Sequence, residues 1–322
     1  MGILLLLLLL CAAVSLAVGS AGIRTSEVFM ALTGSASEVQ RIIVTDIRFP
    51  RTLLAILVGS GIAACGASIQ GLFRNPLADP ALIGVSSGAA LFAAGYLVLG
   101  ANLSGQIGLT TSAFIGGLLT TWLVLEVGRR GGTISALLLA GVAINALAIA
   151  GIGLLSYLST DVQLRSVAFW ALGSLNGADW QSVLTALVIP AVILLLFRER
   201  HNLNAITLGD REASYLGITV PKLRIRIVVL TALAVAVGVS LTGVIAFIGL
   251  IVPHLIRLTI GSTHQVVIPA SALLGGLLLL IADTFSRTLF SPAELPVGIL
   301  TALIGGPFFI LMIIRQKGKL GI

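Results

Sequence analysis

Apolar residues in this chain gather in long, continuous runs, and short polar clusters separate one run from the next. Strict alternation, the mark of a half-buried strand, is absent; runs rich in Leu, Ala and Gly predict helices. The first uncharged run covers 1–23, and a polar segment, 24–51, separates it from a second run at 52–73. The charge-free stretch between Asp79 and Glu126 is too long for one span and breaks at 102–106, which predicts two helices. Further helices are expected at 135–158, 180–197, 227–246, 247–260, 266–282 and 295–314. The piece 247–260 is short and contains Pro253 and His254. The polar insert at 198–226 is the longest in the chain.

Composition says what solvent these helices need. The chain has 322 residues, 57% hydrophobic and only 10% charged, with a mean hydropathy of +1.13. Soluble domains carry about 25% charged residues, so lipid must supply the missing solvent. Inside a bilayer each backbone group bonds within its own segment, which leaves helices or closed barrels. The fold class expected is therefore all-α, a polytopic membrane protein of about ten transmembrane helices forming one domain over 1–322. The run 1–23 also resembles a signal peptide around 17–21, but it has no basic n-region and is long enough to span. A lipoprotein reading through Cys11 fails because Leu10 stands where a small residue is needed. The missing basic anchor suggests a native start further upstream.

Charge gives the bundle a direction. With both termini in the cytoplasm, alternation puts thirteen of the nineteen Lys and Arg residues inside, leaving +8 there and −1 outside. The net charge of +7 then reads as basic cytoplasmic loops and not as a nucleic-acid surface. Glycines at small-residue spacing, as in Gly84–Gly88 and Ser271–Gly275, predict close helix crossings. Cys11 and Cys65 lie within apolar runs and read as small buried hydrophobes.

The chemistry missing from the chain narrows its work. It has no phosphate-binding Gly-x-x-x-x-Gly-Lys-Ser/Thr loop, no His-Glu-x-x-His, and no Cys/His cluster. Carboxylates inside the runs are nearly missing; only Glu126 and Asp283 come close, both near predicted helix ends. Ion-coupled carriers usually keep such groups at mid-membrane, so an external energy source is expected. An autonomous ion-coupled secondary carrier is the alternative from another class.

Four ordered segments then carry a resemblance. They are Arg48-Phe-Pro-Arg51; Gly66-Ala-Ser-Ile-Gln-Gly-Leu-Phe-Arg-Asn-Pro-Leu-Ala-Asp-Pro80 running into Leu82-Ile-Gly-Val-Ser-Ser-Gly88; Leu208-Gly-Asp-Arg-Glu-Ala-Ser-Tyr-Leu-Gly217; and Phe247-Ile-Gly-Leu-Ile-Val-Pro-His-Leu-Ile-Arg257. Asp283, Arg287, Glu294-Leu-Pro-Val-Gly298 and Gly306-Pro307 follow the last. Together they resemble the iron-siderophore, haem and vitamin B12 permeases of bacterial ABC importers, over essentially the whole chain.

The resemblance implies an inner-membrane homodimer with the path at its interface. It also implies two cytoplasmic ATP-binding subunits and a periplasmic substrate-binding protein. It implies no resident cofactor: ATP belongs to the partner, and haem is the expected cargo, ahead of ferric siderophore and vitamin B12. Leu208, Gly209, Glu212, Ala213, Leu216 and Gly217 look like the family's ATPase-coupling helices. Arg48, Arg51 and Arg287, on the outer face against the positive-inside trend, are expected to receive carboxylates of the binding protein, since guanidinium suits bidentate pairing. The alternatives for them are snorkelling or an intrachain pair, such as Arg287 with Asp283. Arg165, in a segment most like the haem-importing branch, is expected near the mouth of the path. The inner gate is expected near Asn75, Leu82 and Leu138. His254 reads as a structural or gating residue rather than a haem ligand.

Overall fold

In a computed structural model, residues 1–19, 22, 24–100 and 105–317 are described, and among them the chain is helical throughout, without strands. The apolar helices, numbered along the chain, are α1 (Gly2–Ala17), α2 (Phe49–Phe73), α3 (Val85–Leu99), α4 (Gly105–Gly131) and α5 (Ile134–Tyr157). They continue with α6 (Trp180–Arg198), α7 (Val220–Thr242), α8 (Ile248–Thr259), α9 (His264–Ser286) and α10 (Val297–Lys317). Six of them, α2, α4, α5, α6, α7 and α9, are long and apolar enough to cross a membrane; α1, α3, α8 and α10 carry shorter apolar stretches. Every predicted run corresponds to one of these helices. The break expected at 102–106 lies largely outside the described residues.

Boundaries differ where local chemistry overrides the apolar pattern. The first helix stops at Ala17, earlier than position 23. The polar segment 24–51 is mostly helical, with short helices at Thr25–Leu32 and Glu38–Ile42 and a π-helical stretch at Ile43–Arg48 leading directly into α2. Ser37 and Gln40 form a reciprocal capping box that starts this continuous segment. Helix α7 begins at Val220 and ends at Thr242, several residues before both expected limits; Pro221 suits its first turn, and Gly243 at φ +70° turns the chain away. Helix α6 is stepped at Leu187, because Pro190 lacks the N–H that Ala186 would accept. Helix α8 has 12 residues, about 18 Å, too short to span alone.

The centre of the molecule is α2, buried along nearly its whole length against α6, α7, α8 and α9. Glycine makes these crossings close. A Cβ at Gly66 would stand 1.9 Å from the Gly249 carbonyl oxygen on α8, and one at Gly59 would stand 2.4 Å from that of Gly275 on α9. The Gly88 position on α3 meets Thr120 and Gly116 on α4 in the same manner. Backbone approach of this kind supplies the packing energy that lipid-solvated helices lack otherwise. Helices α3, α4 and α5 form a second group that joins the centre through α4 and α7.

Candidate functional site

The polar insert between α6 and α7 is built as a braced pair of short helices, Arg200–Ile206 and Asp210–Tyr215. Leu203, Ile206 and Ala213 are its buried anchors. The two glycines of the Leu208–Gly217 motif have separate tasks. Gly209, at φ +139°, opens the second helix, and Glu212 folds its carboxylate against that backbone. Gly217, at φ +83°, closes it: Ile218 N–H donates to the Ala213 carbonyl at 3.1 Å, the six-residue closure of a Schellman turn. Leu208, Tyr215 and Leu216 are then left 69%, 87% and 65% exposed. Apolar side chains held outward on a stiff polar element mark a contact surface.

Ion pairs tie this insert to the bundle. Asp210 accepts from Arg224 on α7 and lies 3.4 Å from Arg74 at the end of α2. Glu199 pairs with Arg226 and accepts from Asn202 at 2.6 Å. These ion pairs join the insert to the end of α2 and the start of α7. The sequence flagged neither Asp210 nor Glu199, although a carboxylate in a basic segment was a visible signal.

The expected gate residues come together in part. Leu82 lies in a 3-10 turn, Pro80–Ile83, and Leu138 on α5; the Leu82 carbonyl oxygen would be 1.9 Å from a Cβ on Gly141, one turn beyond Leu138. Asn145 completes the clamp, its Nδ2 donating to the Ala81 carbonyl at 3.3 Å and its Oδ1 accepting from Ser87 at 2.5 Å. Thr120 donates to the Gly84 carbonyl at 2.9 Å. Asn75 is exposed and instead folds its own turn, accepting from Leu77 N–H at 2.9 Å. Asn145 escaped the sequence reading, yet a lone amide in an apolar helix is a legible sign.

At the opposite end, Arg48, Arg51 and Arg287 are at most 7% exposed and bond within the chain. Arg51 binds Asp283 through Nη2 at 2.8 Å and Glu294 through Nη1 at 2.9 Å. Arg48 donates to the Leu16 carbonyl at 2.8 Å and the Ala17 carbonyl at 3.0 Å. Arg287 donates to Ser15 Oγ at 2.7 Å and has Nε 3.8 Å from Asp283, so the i, i+4 pair weighed from sequence is present. The three cations stitch α1, α2 and α9 together. In this conformation they do not lie open on the surface.

Arg165 lies exposed on the helix Asp161–Ala171, which Thr160 and Gln163 cap reciprocally and Gln163 fastens to the Val98 carbonyl of α3 at 3.0 Å. His254 is buried in α8. Among the described residues no cluster of His, Cys, Asp and Glu has the makings of a metal site.

Comparison with known proteins agrees with this architecture. Residues 5–315 match the FecCD transport family. The hemin transport system permease protein HmuU of Yersinia pestis is 48% identical over 278 residues, 84% of this chain and 83% of that protein. The vitamin B12 import system permease protein BtuC of Yersinia pseudotuberculosis is 40% identical, over 88% of this chain and 84% of its own. A solved structure described as an inward-facing metal-chelate type ABC transporter superposes with a TM-score of 0.87 at 34% identity, covering 97% of both chains. Another, of PsaBC from Streptococcus pneumoniae, has a TM-score of 0.56 at 17% identity and shares the fold alone. A bundle of apolar helices, a braced insert and a family match along its length lead to one assignment: the chain is a multi-pass membrane permease of ABC importers and belongs to the FecCD transport family.

Proposed function

We propose that two copies of this chain form the membrane path of an ATP-driven importer for an iron chelate, with haem as the first cargo. The ten-helix bundle lies in the bacterial inner membrane with both termini in the cytoplasm. Two ATP-binding subunits sit on the insert, and a periplasmic binding protein delivers cargo at the end that carries Arg165. The observation that carries this reading is the coupling surface. Leu208, Tyr215 and Leu216 project from an element that Asp210 ties to Arg74 and Arg224. A surface so held moves its helices when an ATPase pulls on it, and alternating access needs that rigid transmission.

The cargo rests on the likeness to the hemin permease, at 48% identity, together with the exposed cation Arg165, whose charge suits the propionates of haem. Vitamin B12 is the second reading, supported by 40% identity to BtuC permeases, and ferric siderophore remains within the same chemistry. The gate reading for Leu82 and Leu138 is supported by the close approach of the Leu82 carbonyl to Gly141, one turn beyond Leu138, and by the bond from Asn145 to Ala81. Asn75, outside that clamp, is retained as a path residue at the inner mouth. For Arg48, Arg51 and Arg287, docking of the binding protein requires exchange of an internal partner. Their first role is to hold the outer end of the bundle.

The deciding experiment reconstitutes the chain with its ATPase and binding protein and measures ATP-driven uptake of haem, a ferric siderophore and vitamin B12. Haem uptake is expected. Uptake of another cargo without haem would overturn the cargo and keep the importer. Uptake driven by an ion gradient without ATP would overturn the importer itself.

A further inference from the structure

Where α2 and α8 end and α9 begins, at the insert's end of the bundle, lies a cavity of about 370 Å³. Its polar lining comes mainly from Arg74, Asn75, Thr207, Arg257, Ser262 and His264, and no carboxylate lines it. Arg257 is within ion-pair distance of no carboxylate among the described residues. Its Nη1 donates to Gln70 Oε1 and its Nη2 to the Ala67 carbonyl at 3.3 Å, which leaves three N–H groups without an acceptor there. A partly buried guanidinium without a counter-charge is costly, and an anion in the cavity offsets that cost. The first turn of the 23-residue helix α9 faces the same space, and its cap residue Thr263 makes no side-chain capping bond.

His264, at the start of α9, forms one wall of the cavity. It is 2% exposed, and its Nε2 has no hydrogen-bond partner. The hydrogen bonds around it settle its tautomer. Asn204 Oδ1 accepts from the His264 backbone N–H at 2.9 Å, while Asn204 Nδ2 donates to Gln265 at 2.9 Å. The ring Nδ1, 2.7 Å from that same oxygen, must therefore carry the hydrogen. Nε2 is left with a lone pair that seeks a donor. It lies over Gly71, where a Cβ would stand 2.1 Å away. That contact turns Nε2 onto the α2 backbone and out of reach of the cavity, which asks for anionic oxygens at Arg257.

We propose that this cavity binds a phosphoryl anion, brought by a phospholipid headgroup or as free phosphate. The oxygens meet the free N–H groups of Arg257 and the α9 terminus, with Arg74, which Asp210 approaches at 3.4 Å from its other side, completing the basic wall. Basic pockets between membrane helices are suited to such headgroups. The site does not depend on which cargo is carried.

The test uses the full chain, delipidated in detergent, and native mass spectrometry with phosphatidylglycerol as probe, phosphatidylcholine as neutral control and inorganic phosphate as competitor. Wild type is expected to retain one phosphatidylglycerol over phosphatidylcholine. R74Q and R257Q should each weaken it about fivefold, and R198Q, an exposed arginine outside the cavity, should leave it unchanged. If R257Q fails to fold, R74Q alone decides. Displacement by millimolar phosphate from wild type identifies free phosphate as a source, and resistance to it identifies the headgroup. No preference for phosphatidylglycerol together with no phosphate effect, or an equal loss in R198Q and R74Q, would overturn the site.

Discussion

Arg51 on α2 and Asp283 on α9 form a buried ion pair in which Nη2 and Nε both donate to the same carboxylate, at 2.8 and 3.0 Å. Asp283 also lies near Arg287, and Glu294 takes the remaining side of Arg51. Removing one member therefore strands several charges at once. Asp283→Ala is expected to cost about 3–5 kcal/mol, read as a lowered thermal midpoint in detergent. Replacing the pair together, Arg51→Met with Asp283→Leu, should restore much of that loss. Equal midpoints for D283A and wild type would show the pair to be without structural weight.

The glycine crossing of α2 and α8 leaves no room for a methyl group. Gly66→Ala places a Cβ 1.9 Å from a backbone oxygen and requires the helices to part. Folded yield should fall sharply. Gly153→Ala, on α5 with nothing within 4 Å, should be neutral or stabilise by up to about 1 kcal/mol. Size-exclusion profiles and melting curves of the two variants, side by side, check the contrast.

Leu208→Ala combined with Leu216→Ala removes exposed apolar surface and leaves the buried anchors in place. Association with the ATPase should weaken at least tenfold while the melting temperature of the isolated chain stays within about 2 °C of wild type. A pull-down and a melting curve together decide it. A large fall in melting temperature would mean that these side chains serve the fold.

Asn145→Leu cuts the bonds to Ala81 and Ser87 and keeps an apolar helix face. Backbone amides in 81–84 should exchange hydrogen faster, with α9 unaffected. Unchanged exchange would mean that Gly141 and Thr120 hold the turn without it.

Arg165→Ala should slow haem uptake in the reconstituted importer without changing assembly with the ATPase. Arg48→Glu or Arg51→Glu, by contrast, reports on the fold before it reports on docking, because both side chains are buried. Unchanged uptake in R165A would remove Arg165 from the path.

Hydrophobic run length located every apolar helix, because a backbone in lipid must satisfy itself segment by segment and so writes its spans into the sequence. The glycines at 209 and 217 stood out in the sequence only through the family resemblance; the structure gives each a backbone angle that other residues resist. Run length misjudged the ends of α1 and α7, where the extended Val18 and Gly243 set the limits. It also read 24–51 as a polar segment, when a capping box and a π-helical stretch make most of it helical.

The sequence by itself determined that this protein lies in a membrane as helices and that it belongs with importer permeases lacking their own ATPase. Only the tertiary structure decided what its charges do. Arg51 and Asp283 are 232 positions apart, and Arg257 and Gln70 187; no local pattern couples residues at such separation. Whether an arginine at a helix end points to solvent or to a buried carboxylate depends on which helix stands beside it. Small-residue crossings such as Gly59 with Gly275 decide that neighbour.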